Sequence, residues 1–212
     1  VGHLHDDGTL TVSASTMVGC PLKCSFCSMG NVTSRPLSSG QIVGQILAVS
    51  ANCQPIALRE VRFDVSGDPM FNWSAVEEAI RQLSPEFSRP RVLVCSAMPT
   101  SKFYSDVFKL GRELENLDFQ ASVHASSDTD RAFRFVEDRI LSIAQIDAIG
   151  KDWLMATGRR CSFNYALNGR NSGWKDAIRL YRSLPIWAWT VQLTPTYVSN
   201  PSRAIAEKGL MA

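Results

Sequence analysis

The chain has 212 residues, of which 45% are hydrophobic and 20% charged, with a formal net charge of +2. This composition is that of a globular protein with one sizeable core, and we expect a single domain over residues 1–212. No strong basic field argues for nucleic acid, and no run of residues resembles a membrane span or a secretory signal.

Apolar periodicity predicts six strands that alternate with five helices. Leu10, Val12 and Ala14 alternate with hydroxyl residues, which is typical of a strand, and Ile42 and Ile46 share one helix face. The predicted strands cover about residues 9–15, 56–65, 91–95, 119–123, 161–167 and 187–193. The predicted helices cover about residues 38–50, 73–83, 101–114, 128–157 in two pieces, and 175–184.

This alternation predicts an α/β fold, a partial TIM-like (β/α)6 barrel of parallel strands. The unusual polar groups of the chain follow predicted strands: the first cysteines, the Gly67-Asp68 turn, Cys95-Ser96 and His124. Because the carboxyl ends of parallel strands share one edge, we expect these groups to lie near one another.

Three of the six cysteines, Cys20, Cys24 and Cys27, lie in one stretch with the spacing C-x3-C-x2-C. Thiolates bind soft metals and iron–sulfur clusters, so three on one loop can hold three irons of a [4Fe–4S] cube. The fourth iron would stay open to a small molecule. A structural zinc site, with Cys53 or a distant His as fourth ligand, and inert thiols are the alternatives. A disulfide framework is not expected in such a chain.

The cysteine spacing, with Phe26 just before the third cysteine, resembles that of the radical S-adenosylmethionine (SAM) superfamily. The resemblance implies a [4Fe–4S] cluster on Cys20, Cys24 and Cys27, with SAM at the free iron. In that superfamily one electron from the cluster splits SAM, and the 5′-deoxyadenosyl radical abstracts a hydrogen atom. It also implies an electron donor such as flavodoxin or ferredoxin, and a reducing cytoplasmic location.

Further motifs, in the same order, resemble the RlmN/Cfr family, whose members modify adenosine in 23S ribosomal RNA. The cysteine stretch resembles V-G-C-x3-C-x-F-C-S-T-G, with Met29 in place of Thr. G-D-P-M-F-N resembles G-E-P-L-L-N, S-V-H-A resembles S-L-H-A, and T-G-R-R with a later Tyr resembles T-G-R-R-V-T-F-E-Y. The matching stretches are residues 18–30, 35–45, 67–72, 122–125 and 157–165.

The resemblance implies that the Gly67-Asp68 turn binds the amino group of SAM. An ammonium needs carbonyl or carboxylate acceptors, and Gly67 lets the backbone approach closely. Asp68 replaces the family Glu and has a shorter side chain, so we expect the turn to contact the SAM amino group through its backbone. Ser96, or Cys95 beside it, takes the place of a family Ser that contacts SAM. An ordinary strand-end turn is the alternative for Gly67-Asp68.

The resemblance places Ser122, Val123 and His124 against the ribose and carboxylate side of SAM. A satisfied polar residue at a strand end is the alternative for His124. Phe26 would shelter the cluster or stack near the adenine, and core packing is its alternative.

Two positions needed for methyl transfer in the family depart from its pattern. Ser13 stands seven residues before Cys20, where the family has a cysteine, and no cysteine follows Cys161 in the sequence. A hydroxyl cannot replace a low-pKa thiol in sulfur exchange. Tyr197 also stands where the family has an Asn.

Three functional hypotheses follow. The first is a radical SAM enzyme that abstracts hydrogen from an unidentified substrate without the methyl-cysteine route. The second is a 23S rRNA adenosine methyltransferase seen as a fragment, since the chain begins at Val1 rather than Met. The third is a non-enzymatic scaffold that holds a cluster or zinc. RNA is a possible substrate through the resemblance alone.

Overall fold

The computed structural model describes residues 1–53, 55–83, 90–135, 139–167 and 171–195. In chain order its elements are β1 (Gly2–Leu4), β2 (Thr9–Ala14), β3 (Met17–Val18), β4 (Arg35–Pro36), α1 (Ser39–Asn52), β5 (Ala57–Phe63), α2 (Trp73–Leu83), β6 (Arg91–Ser96), α3 (Tyr104–Glu113), β7 (Leu117–Ser122), α4 (Asp128–Arg134), α5 (Ile143–Thr157), β8 (Cys161–Leu167), α6 (Trp174–Ser183) and β9 (Trp189–Pro195). Short 3-10 turns cover Ser28–Asn31 and Pro69–Phe71.

Seven strands form one curled sheet, a half-barrel, in the order β1-β2-β5-β6-β7-β8-β9. All neighbouring pairs are parallel except β1 with β2, which is antiparallel. The prediction of an α/β partial barrel is therefore confirmed, with an added antiparallel edge strand. The sequence reading missed β1 and the small antiparallel ribbon of β3 and β4.

Helices cover one face of the sheet, and that face is apolar. Alternate residues of each strand point into this layer, and the helices add their own apolar stripes, as period-2 and period-3.6 patterns require. Each fully buried Val, Leu or Phe contributes roughly 1.5–3 kcal/mol to folding. Representative members of this core are Val12, Val61, Val94, Phe119 and Phe163 from the strands and Ile42, Ile46, Trp73, Val76, Val107 and Trp153 from the helices.

The opposite face of the sheet is lined by polar side chains that bond across strands. The Gln120 amide donates to Gln192 Oε1 at 2.6 Å and to Ser162 Oγ at 3.2 Å. The Cys95 thiol donates to Gln120 Oε1 at 3.5 Å. This inner face of the half-barrel therefore carries a network of polar side chains.

Capping boxes fix the start of α1 and the start of α5. The side chains of Ser38 and Ser142 each accept a hydrogen bond from the backbone N–H three residues later. In return, the backbone N–H of each serine donates to the side-chain oxygen of that later residue, Gln41 or Gln145. Gly158 ends α5 in the left-handed conformation with φ 72°. In the described ranges, no helix has both the length and the apolar character needed to cross a membrane.

Candidate functional site

The cysteine loop leaves β3 through a turn that only glycine fits. Gly19 has φ 64°, and a Cβ there would lie 2.5 Å from the carbonyl oxygen of Val32. The loop closes on itself because Cys20 N–H donates to Met29 O and Cys27 N–H donates to Cys24 O. This closure keeps Cys20, Cys24 and Cys27 on one compact loop, and all three are free thiols.

The three thiols lie within electrostatic reach of one another. Burial raises the pKa of Cys20 to about 11 and that of Cys24 to about 12. The charges of the neighbouring cysteines and of Asp68 add to both shifts. Thiolates so close together are unfavourable without a cation among them, which is the usual situation of metal ligands before metal binding.

The donor set, three thiols on one loop, is chemically suited to an iron–sulfur cube, in which each thiolate binds a separate iron. Among the described residues, no group of three or more His, Cys, Asp or Glu side chains closes around one ion. Zinc needs four ligands converging tetrahedrally, whereas a cube spreads its thiolates over separate irons. Cys53, the fourth zinc ligand considered from the sequence, packs against the main core at the end of α1.

The turn after β5 is clamped to the cysteine loop. The Ser66 hydroxyl donates to Gly19 O at 3.2 Å, and the Ser66 carbonyl accepts from the backbone N–H groups of Thr16 and Met17. Gly67 has φ 81°, and a Cβ there would lie 2.4 Å from Met17 Cβ. Glycine is thus required by both conformation and close approach, and the turn lies directly beside the loop.

Asp68 uses its carboxylate to tie this turn to the end of β6. The carboxylate accepts from Ser96 Oγ at 2.9 and 3.1 Å, from Ala97 N–H at 2.6 Å and from Met70 N–H at 2.9 Å. The side chain is buried, and desolvation raises its pKa to about 6 against these hydrogen bonds. With the carboxylate so engaged, the backbone of the turn is left to face a ligand.

Ser96 lies at the same junction. It is 1% exposed, and its hydroxyl donates to Asp68 while accepting from Met98 N–H. The direct contact with SAM predicted for Ser96 stays a prediction. What the structure adds is that Ser96 fixes the position of Asp68.

His124 follows β7 in the left-handed conformation, with φ 56°. Its Nδ1 accepts a hydrogen bond from the backbone N–H of Ala166 at 3.0 Å. Burial lowers the pKa of His124 to about 3, with the charges of Arg131 and Arg134 adding to the effect. The neutral ring therefore carries its proton on Nε2, for which no described residue is a hydrogen-bond acceptor.

Phe26 connects the cysteine loop to His124. Its ring meets the His124 ring edge-on at 5.3 Å and the Phe135 ring at 6.0 Å, and it is 39% exposed. Val123 is buried beside His124, and Ser122 is half-buried at the end of β7. The structure thus brings Phe26 and the Ser122–His124 stretch to one edge, together with the cysteines and the Gly67 turn.

Replacing His124 with Asn is expected to make the free energy of unfolding less sensitive to acid. Burial lowers the pKa of His124 to about 3 in the folded chain from an ordinary value of about 6.5, so its contribution to stability is complete above pH 6.5 and is lost as the pH falls. Between pH 7.5 and 5 the wild-type chain should lose about 2 kcal/mol more than the variant. Asn tolerates a left-handed backbone and can accept from Ala166. Urea denaturation at both pH values checks this, and equal losses would contradict it.

Cys95, Cys161 and Ser13 lie outside the cysteine loop, each in a different part of the sheet. Cys161 is fully buried in the helix-covered core, whereas Cys95 is on the inner face beside Gln120. Ser13 pairs with Arg62 in the β2–β5 register. Tyr197, the other departure from the family pattern, lies outside the described residues.

Sequence reasoning missed Arg131, which lies at the centre of this edge. It is 1% exposed on α4, and its guanidinium bonds to backbone carbonyls after β6 and β7. An arginine on a short charged helix is normally solvated, so its sequence context carries no signal of burial.

The chain is similar to curated proteins over about three quarters of its length. No protein-family model matches the chain. It is 30% identical over 165 residues to the probable dual-specificity RNA methyltransferase RlmN of Pseudothermotoga lettingae, covering 77% of this chain and 48% of that protein. It is 32% identical over 166 residues to the protein of the same name from Deinococcus deserti, covering 74% and 47%. The chain thus spans about half the length of these curated relatives.

A solved structure shares the fold. The radical SAM methyltransferase from Sphaerobacter thermophilus superposes with a TM-score of 0.81 at 28% identity, covering 94% of this chain and 60% of that one. The likeness in fold therefore extends over most of the chain.

Proposed function

This chain carries an RlmN/Cfr-like radical SAM core, and we propose that it holds a [4Fe–4S] cluster on Cys20, Cys24 and Cys27 and cleaves SAM reductively. The observation that carries the proposal is the compact loop that holds three free cysteines at the strand ends, within electrostatic reach of one another. When bound, the cluster supplies one electron that splits SAM into methionine and a carbon radical able to take hydrogen from a substrate.

The residues around the loop would bind and orient SAM. The backbone of the Gly67-Asp68 turn would accept from the SAM ammonium, because Asp68 has its carboxylate committed to Ser96 and Ala97. The Nε2–H of His124 would donate to the carboxylate or ribose of SAM, with Ser122 and Val123 beside it. Phe26, with its exposed ring, would cover the cluster or contact the adenine and exclude water.

The substrate would lie over the polar inner face of the half-barrel. RNA is a reasonable class because the relatives are named as dual-specificity RNA methyltransferases. Transfer of a methyl group through cysteine is not part of this proposal, since Ser13 holds the place of one family cysteine. We therefore propose hydrogen abstraction as the step this chain performs, with flavodoxin or ferredoxin as the electron donor.

A second candidate is an RlmN-type rRNA adenosine methyltransferase of which this chain is a part. The names of the relatives and the half-length match favour it. A longer chain with a cysteine beyond the present sequence would support this candidate.

Anaerobic reconstitution with iron and sulfide tests the proposal. We expect iron–sulfur absorption, and 5′-deoxyadenosine together with methionine once dithionite and SAM are added. A cluster without SAM cleavage would favour a non-enzymatic scaffold. Tight zinc with no iron would overturn the cluster assignment. Transfer of labelled methyl from SAM to 23S rRNA would favour the second candidate.

A further inference from the structure

Arg131 is the one buried Lys or Arg side chain of the described residues. Its guanidinium donates through Nε to Leu141 O at 3.1 Å and through Nη1 to Ser122 O and Val123 O at 2.9 and 2.8 Å. Nη2 donates to Ala97 O. Four backbone carbonyls therefore hold the group in a fixed position under the ends of β6 and β7.

Within the described part of the chain, the buried charge forms no direct ion pair, although the carboxylates of Asp128 and Asp68 lie within electrostatic reach of it. None of the ion pairs within the described ranges includes Arg131. Carbonyl dipoles offset only part of the cost of burying a cation, so such groups normally pair with an anion. Burial lowers the pKa of Arg131 to about 10, which still leaves it charged at neutral pH. Cys24 also lies within electrostatic reach of Arg131, so a more negative group bound at the cysteine loop would be stabilised by this charge.

The guanidinium lies directly beneath the cysteine loop. It stacks over the Phe135 ring at 4.7 Å, and Phe135, Ala97 and Leu22 form a small buried cluster against which Cys20 and Cys24 pack. The backbone of α4 also contacts the loop, because Ser25 N–H donates to Arg134 O at 2.8 Å. The charge is thus held close to the buried side of the loop, within electrostatic reach of Cys24.

We propose that Arg131 is a fixed counter-charge to the cluster and raises its reduction potential. This inference rests on the proposed function. In the couple concerned, [4Fe–4S]²⁺ takes one electron from a one-electron donor and becomes [4Fe–4S]¹⁺, with no proton transferred. The added electron makes the cluster and its thiolates more negative, so a nearby cation stabilises the reduced form more than the oxidised form. The four carbonyl contacts prevent the cation from moving away.

Redox titration of the reconstituted protein, followed by electron paramagnetic resonance, tests this role. The variants are Arg131→Gln, which removes the charge, Arg131→Lys, which keeps it with fewer donors, and Arg59→Gln as a matched control. Arg59 is exposed near the start of β5 and pairs with Asp7. At the wild-type midpoint, the reduced-to-oxidised ratio of Arg131→Gln should fall about tenfold, a shift of about 59 mV for one electron. Arg131→Lys and Arg59→Gln should stay close to wild type.

The comparison of the two Arg131 variants separates charge from structure. Equal shifts in Arg131→Gln and Arg131→Lys, or failure of both to load a cluster, would overturn the proposal, because the carbonyl hydrogen bonds would then be what matters. If Arg131→Lys binds a cluster with the wild-type reduction potential while Arg131→Gln binds none, the result would support the proposal. An unshifted Arg131→Gln would also overturn it. A wild-type chain that binds no cluster would refute the proposed function instead, before any variant is compared.

Discussion

Replacing Cys24 with alanine is expected to abolish reductive cleavage of SAM. Three thiolates on one loop leave no spare ligand, and the loop closure around Cys24 brings no other cysteine to replace it. A cube held by two thiolates loses iron, and the site for SAM disappears with the open iron. We expect 5′-deoxyadenosine below detection and iron content well below that of the wild-type chain, both measured after anaerobic reconstitution.

The matched control is Cys53→Ala. Cys53 is also a half-buried free thiol, but it packs against the helix-covered core and lies at the end of α1. Its replacement should leave the iron content and SAM cleavage near wild type, with a modest loss of stability of about 1 kcal/mol. Full SAM cleavage by Cys24→Ala would rule out the cluster assignment. Loss of cleavage in both variants would point to a general effect on folding.

The strands and helices could be predicted because their periodicities reflect burial directly. Trp73–Leu83 and Cys161–Leu167 have the predicted bounds, and the other helices and parallel strands differ by a few residues. β1 was missed because three exposed residues carry no alternation of apolar and polar side chains. Its position depends on pairing with β2, which a local pattern does not encode.

Those parts of the site were predictable in which the type of residue leaves few possible roles. The cysteine spacing and the glycine of the turn are such cases, because a thiolate trio and a close backbone approach have few alternatives. The partners of Asp68 were not predictable. Its carboxylate meets Ser96 and Ala97 only because β5 and β6 are neighbours in the sheet and end at the same level.

Arg131 illustrates the same limit for charges. The sequence of α4 is rich in Asp and Arg, which is typical of a solvated helix. Burial of one of these arginines depends on four carbonyls from other segments pointing into one small space, together with a ring from the helix end. Such convergence is a property of the folded edge, and a single sequence gives no indication of it.

Asp68→Ala is expected to cause the largest loss of stability among the substitutions at this edge. The Ser96 hydroxyl and the N–H groups of Ala97 and Met70 would lose their acceptor, and each unsatisfied donor costs roughly 1–3 kcal/mol. Removal of a buried carboxylate, whose pKa is raised to about 6, returns about 3 kcal/mol at neutral pH. The net loss at pH 8 should be about 2–4 kcal/mol, measured by urea denaturation under reducing conditions.

The pH dependence of this loss distinguishes a buried carboxylate from an ordinary surface one. Because the folded-state pKa of Asp68 is raised, its contribution to stability is complete below about pH 4 and falls as the pH rises through about 6. The difference between wild type and Asp68→Ala should therefore be about 1 kcal/mol larger at pH 5 than at pH 8. Asp64→Ala is the control, since Asp64 forms a partly exposed ion pair with Arg62 and should cost less than about 1 kcal/mol. Similar losses in both variants would show that the Asp68 carboxylate does not join the Gly67 turn to β6, and the geometry proposed for SAM binding would lose its support.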